Sequence, residues 1–159
     1  MDHPTISGLY IHIPFCQTKC PYCDFYSITG TGQVPDFLAA LDQEARLYHH
    51  QFPPFDSLFL GGGTPSLLDA AQLGALVASL RRHFDFAPDS EITLEANPDD
   101  ITSEKLRLFR ELGINRLSLG CSPLTRRNCV SWEEDILRPK QRRLSISSGR
   151  RVSLTWGWT

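Results

Sequence analysis

No run of apolar residues in this chain approaches the length needed to cross a bilayer; the longest candidate, around Leu73 to Leu80, has the spacing of a helix face. The opening residues, Met1 to Ser7, are polar and lack the basic start and apolar run of a secretory signal. Net charge is small, at −2, so nothing general favours a nucleic acid or an anionic membrane as partner. Cysteine is sparse, with five among 159 residues, and nothing marks the chain as secreted. A reducing, cytoplasmic setting is therefore expected. With 41% hydrophobic and 21% charged residues, the chain is long enough for one domain with a real core.

Two compositions share the chain. Residues 1–120 carry eight Lys or Arg against fifteen Asp or Glu, whereas residues 121–159 carry eight against three. Every Phe and Tyr precedes residue 110, and all three Trp (Trp132, Trp156, Trp158) follow it.

The first 120 residues alternate strand and helix signals. Leu9 to Ile13 reads as a strand ended by Pro14. Pro35 to His50 reads as a helix with Leu38, Leu41, Ala45 and Tyr48 on one face. Ser57 to Leu60 is a short buried strand running into Gly61-Gly62-Gly63-Thr64-Pro65, where Thr64 is expected as helix N-cap and Pro65 as first helical residue. Leu73, Leu76, Val77, Leu80 and Phe84 form the next helical stripe, closed by Arg81, Arg82 and His83. Glu91 to Glu95 is a third strand. Thr102 is a good N-cap for a helix over Glu104 to Leu112, stopped by Gly113, and Ile114 to Leu119 starts a fourth strand. This alternation predicts an α/β fold of four β/α units with a parallel sheet. Beyond Cys121 the pattern fails: there is a basic run at Arg138 to Arg143 and one weak strand candidate, Arg151 to Thr155. A disordered basic tail over 121–159 is expected, with a nucleic-acid arm as the sharper alternative.

Three cysteines stand within eight residues, as Cys16-x3-Cys20-x2-Cys23, directly after the first strand. Thiolates this close can converge on one inorganic centre. Four cysteines usually close an iron–sulfur cluster, and three leave one iron open for chemistry. A zinc site with His12 or His3 as fourth ligand could use the same thiolates, and a disulfide is a further alternative. In a β/α barrel the active site gathers after the C-terminal ends of the strands. The cysteine loop, the glycine run and Glu95 all fall on that rim. The glycines exceed the needs of a turn and let backbone approach a ligand closely.

The cysteine spacing is similar to the signature of the radical S-adenosylmethionine (SAM) superfamily. The flanking words Tyr10-Ile11-His12-Ile13-Pro14-Phe15-Cys16 and Cys20-Pro21-Tyr22-Cys23-Asp24-Phe25 resemble the branch of HemW-like heme chaperones and oxygen-independent coproporphyrinogen III oxidases. The resemblance implies a partial TIM-type (β/α)6 barrel of which four units are present. It implies a 4Fe-4S cluster on Cys16, Cys20 and Cys23, and SAM against Tyr10, Tyr22, Gly62, Gly63, Thr64 and Glu95. The glycine word would meet the amino-acid end of SAM, Glu95 the ribose hydroxyls, Tyr10 the adenosyl group and Tyr22 the adenine. A flavodoxin-type electron donor and, in an intact relative, heme or porphyrin are implied as partners. The oxidase tends to carry a further cysteine two residues after the third, where this chain has Phe25, so the chaperone is the nearer match. Whether the chain is itself an enzyme stays open, as does a zinc-binding module.

The resemblance runs from about Gly8 to Gly120 and stops where the composition breaks. A shifted reading frame near codon 120 would explain both, with 1–120 the first part of the barrel domain and 121–159 a foreign tail. Four units alone would leave the fourth strand an open edge, with aggregation as the expected consequence.

Overall fold

A computed structural model of the protein describes residues 7–19, 23–120, 142–147 and 151–156. In chain order the elements are β1 (Gly8–Ile13), β2 (Phe15–Cys16), β3 (Ile28–Thr29), α1 (Val34–Leu47), β4 (Phe55–Gly62), α2 (Ala70–His83), β5 (Phe86–Ala96), α3 (Ser103–Glu111), β6 (Arg116–Gly120), β7 (Arg142–Ser147) and β8 (Arg151–Trp156). Single 3-10 turns at Pro65–Leu67 and Pro98–Asp100 follow β4 and β5.

The main sheet has the order β1-β4-β5-β6-β8-β7. Its first four strands are parallel, so their C-terminal ends share one rim, as the β/α alternation requires. The sheet's two faces follow from the two-residue period of a strand. Leu9, Leu58 and Ile92 stand side by side across β1, β4 and β5, as do Ile11, Leu60, Leu94 and Leu117 one step on, with β6 joining the row. These rows and the helices form one core, with Leu60, Leu73, Leu80 and Leu94 fully buried and Phe109 bringing α3 onto it. The opposite face carries the row Tyr10, Phe59, Thr93 and Arg116. One face therefore builds the core and the other is aromatic and polar.

Capping chemistry decides the helix starts. Thr102 caps α3 as expected, accepting from the Lys105 N–H at 3.2 Å. Thr64 does not cap: only a 3-10 turn follows it, and its side chain makes no cap bond. The long helix starts instead after Asp69, which forms a capping box with Gln72. Tyr48, expected on the face of α1, lies at its C-cap and is exposed.

The open edge anticipated at the fourth strand is paired. β8 runs antiparallel to β6, with Leu119 opposite Val152 and Leu117 opposite Leu154, and β7 pairs with β8. The strand candidate at 151–155 is present, and Arg142–Ser147 is a second strand that the sequence pattern did not announce. A hairpin satisfies the backbone groups of β6 irrespective of side-chain periodicity, so weak patterning did not preclude it. Among the described residues, no helix is long and apolar enough to cross a membrane.

Candidate functional site

Cys16 ends a two-residue strand whose partner is β3, with Phe15 opposite Ile28 and Cys16 opposite Thr29. The Ile28 N–H donates to the Pro14 carbonyl at 2.8 Å and closes the neck of the cysteine loop. Phe15 is buried edge-on against Phe37 of α1, with ring centroids 5.3 Å apart. Cys16 thus leaves a fixed point of the fold. Cys16 and Cys23 are both free thiols of intermediate exposure. Cys20 and Tyr22 lie outside the described residues.

The glycine run lies directly beneath this neck. The Gly63 N–H donates to the Ile13 carbonyl at 2.8 Å, and the Thr64 N–H to the Phe15 carbonyl at 2.7 Å. A Cβ on Gly63 would stand 2.6 Å from the Phe15 oxygen and 2.8 Å from the Ile13 oxygen, so only glycine lets the two backbones approach. Gly62 has φ +110°, in the region that favours glycine, and a Cβ there would meet the His12 ring at 2.6 Å. Within this chain, then, the glycines already serve close protein–protein contact. The Thr64 hydroxyl, absent from any cap, donates to Cys16 Sγ at 3.7 Å.

Glu95, next to last in β5, accepts the Gly62 N–H at Oε2, 2.9 Å away. The cysteine loop, the glycine run and the strand-end carboxylate are therefore joined by direct hydrogen bonds.

Tyr10 lies further along β1, half exposed, with its ring 6.0 Å from that of Phe59. Its hydroxyl meets His12 Nδ1 at 3.0 Å, and His12 Nε2 meets the Tyr26 carbonyl at 3.0 Å. A carbonyl can only accept, so Nε2 carries a proton, and in the neutral ring the Tyr10 hydroxyl donates to Nδ1. In the sequence His12 stands out only as a candidate fourth ligand of a zinc site. In fact it fastens the far end of the cysteine loop to the polar face of the sheet. The two-residue spacing of Tyr10 and His12 on one strand placed them on one face, but the Tyr26 carbonyl is a tertiary partner that no pattern announced.

The donors suit a sulfur-ligated centre. Thiolates are the usual ligands of iron–sulfur clusters, and a hydroxyl donor already faces one sulfur. Among the described residues, which exclude Cys20, no three His, Cys, Asp or Glu side chains gather as a metal site. His12, the candidate fourth ligand of a zinc site, has both ring nitrogens engaged by protein partners. His3, the other candidate, lies outside the described residues.

A second polar cluster lies on the helical side, away from this rim. Asp42 of α1 accepts from Ser79 Oγ at 2.5 Å and from His83 Nε2 at 3.0 Å, with Arg82 and Arg46 nearby. Hydrogen bonds from Ser79 and then His83 hold its carboxyl below the ordinary aspartate value. These contacts tie α1 to α2 and include none of the rim residues.

Comparison with known proteins converges on one group. The radical SAM superfamily matches residues 10–143, a span that runs past Gly120. The heme chaperone HemW of Escherichia coli strain K12 is 40% identical over 117 residues, covering 71% of this chain and 31% of the relative. HemW of Bacillus subtilis strain 168 is 40% identical over 136 residues, covering 83% of this chain and 34% of the relative. Among solved structures, the coproporphyrinogen III oxidase HemN of Escherichia coli, described as a radical SAM enzyme, aligns with a TM-score of 0.66 at 37% identity. That alignment covers 74% of this chain and 28% of the oxidase. The chain spans about a third of the length of the curated relatives it matches.

Proposed function

We propose, since this chain belongs to the radical SAM superfamily, that it holds a 4Fe-4S cluster on Cys16, Cys20 and Cys23 and binds SAM beside it. Within the superfamily it falls in the HemW-like branch, whose first part it resembles. Its role is in heme or porphyrin metabolism, as part of a heme chaperone.

The observation that carries this reading is the pair of hydrogen bonds joining three separate motifs. Thr64 reaches Cys16, and Gly62 reaches Glu95, so the first cysteine of the loop, the glycine backbone and the carboxylate share one rim. In this reading Cys16 and Cys23 enter as thiolates with Cys20. Gly62, Gly63 and Thr64 lie along the amino-acid end of SAM, and Glu95 accepts from its ribose hydroxyls. Tyr10 lines the adenosyl group from the polar face of the sheet, and Tyr22 the adenine. When bound, the cluster supplies the single electron that breaks the sulfonium carbon–sulfur bond of SAM. A flavodoxin-type reductant would deliver that electron.

Phe25, standing where the oxidase tends to carry a cysteine, favours the chaperone over the coproporphyrinogen III oxidase. Engagement of both His12 nitrogens weighs against a zinc module built on that residue.

Anaerobic reconstitution tests the proposal. About four irons and four sulfides per chain, with an EPR signal of the reduced cluster that changes on adding SAM, are expected. One zinc per chain and no sulfide would replace this reading with the zinc module. Hemin binding by the intact relative, without turnover of coproporphyrinogen III, would separate chaperone from oxidase.

A further inference from the structure

We infer that Thr64 is a positioning residue for the Cys16 sulfur, and that Gly63 is the clamp that brings it there. The inference rests on the cluster reading for its redox consequence and on the fold alone for its geometry.

Thr64 is buried, with 7% of its surface exposed, so its hydroxyl needs a partner inside the protein. The position invites a helix cap, yet no cap bond forms, and the hydroxyl turns to Cys16 Sγ at 3.7 Å. Its backbone cannot drift from that place. The Gly63 and Thr64 N–H groups are held by the Ile13 and Phe15 carbonyls, and any Cβ on Gly63 would strike those same two oxygens and push the segments apart. Cys16 is fixed in turn by its pairing with Thr29 and by the buried Phe15 ring next to it. Two segments separated by 48 residues are thereby locked in register, with one hydroxyl aimed at one sulfur.

A hydroxyl that donates to a ligating thiolate withdraws charge from the sulfur. Hydrogen bonds to cluster sulfurs are one of the levers by which a protein sets reduction potential. Thr64 therefore holds Cys16 in one rotamer and raises the potential of an iron centre bound through it.

The test compares Thr64→Val, which removes the hydroxyl at nearly constant volume, with Thr64→Ser, which keeps it. In metal-free protein with labelled cysteine, NMR should show Hα–Hβ couplings of a single Cys16 rotamer in the wild type and in Thr64→Ser. Averaged couplings are expected in Thr64→Val. After reconstitution, the cluster midpoint potential should fall in Thr64→Val and return in Thr64→Ser. Unchanged Cys16 couplings in Thr64→Val would overturn the inference. An averaged rotamer together with no iron–sulfur centre in the wild type would instead uphold the positioning role and remove the cluster reading. Should Thr64→Val not fold, Thr64→Ala against Thr64→Ser decides in the same way.

Discussion

The main-chain N–H of Gly62 donates to Glu95 Oε2 across 2.9 Å, so the glycine run and the carboxylate of the neighbouring strand form one unit. The bond connects the C-terminal ends of β4 and β5, where parallel strands deliver their loops to a common rim.

If Glu95 also receives the ribose hydroxyls of SAM, Glu95→Ala removes a charged acceptor. Hydrogen bonds to charged groups are worth about 1.5–3 kcal/mol, or roughly a ten- to hundredfold loss of affinity. Calorimetric titration of SAM into the reconstituted protein measures it. Equal affinities would take Glu95 out of the binding site.

Gly63→Ala and Gly74→Ala should move stability in opposite directions. At Gly63 a methyl group meets backbone at 2.6 Å, and overpacking of this kind costs about 1–3 kcal/mol. Gly74 lies inside α2 with nothing within 4 Å of the added carbon, so alanine should stabilise by roughly 0.5–1 kcal/mol through helix propensity. Thermal or denaturant unfolding compares the pair. A Gly63→Ala protein as stable as the wild type would mean that the glycine run does not bear on the cysteine neck as described.

The Asp42 cluster gives an acid dependence. Hydrogen bonds from Ser79 and then His83 hold its carboxyl, in the folded chain, below the ordinary aspartate value. The unfolded state therefore binds the proton first, and stability drops as pH falls through that value towards the folded one. The facing groups are Ser79, Arg82 and His83 of α2 and Arg46 of α1. Asp42→Asn should flatten this limb in urea titrations between about pH 5 and pH 2. An unchanged acid slope would show that the α1–α2 tie does not contribute to folding.

Ending the chain at Gly120 removes β7 and β8 and leaves β6 without its antiparallel partner. An unpaired strand edge invites pairing with other chains, so this shorter chain should self-associate more than the whole one. Size-exclusion chromatography at matched concentration decides it. A monomer would mean that the hairpin is dispensable. We propose that 1–120 is the barrel part and 121–159 the product of a shifted frame; sequencing the gene through codon 120 and translating its other frames tests this. Continuation of β/α units from Gly120 in another frame is expected, and its absence would make the tail genuine.

Much of the architecture could be read from local signals, because they arise within a few residues. The apolar rows of β1, β4, β5 and β6, the stripe of α2 and the Thr102 cap follow from strand and helix periodicity and from unpaired N–H groups at a helix start. So did the common rim, since alternating β/α units deliver successive loops to one end. The cysteine spacing by itself left an iron–sulfur cluster, a zinc site and a disulfide open, and only the flanking words, by resemblance, point to a cluster. What the tertiary structure alone decided concerns partners distant in sequence. Thr64 turned from a cap to a sulfur, and His12 became a bridge between Tyr10 and the Tyr26 carbonyl. Gly63 proved necessary because another stretch of backbone crosses it at van der Waals distance. Neither a hydrogen bond spanning 48 residues nor a backbone crossing leaves a periodic trace, because each depends on how the strands are laid side by side.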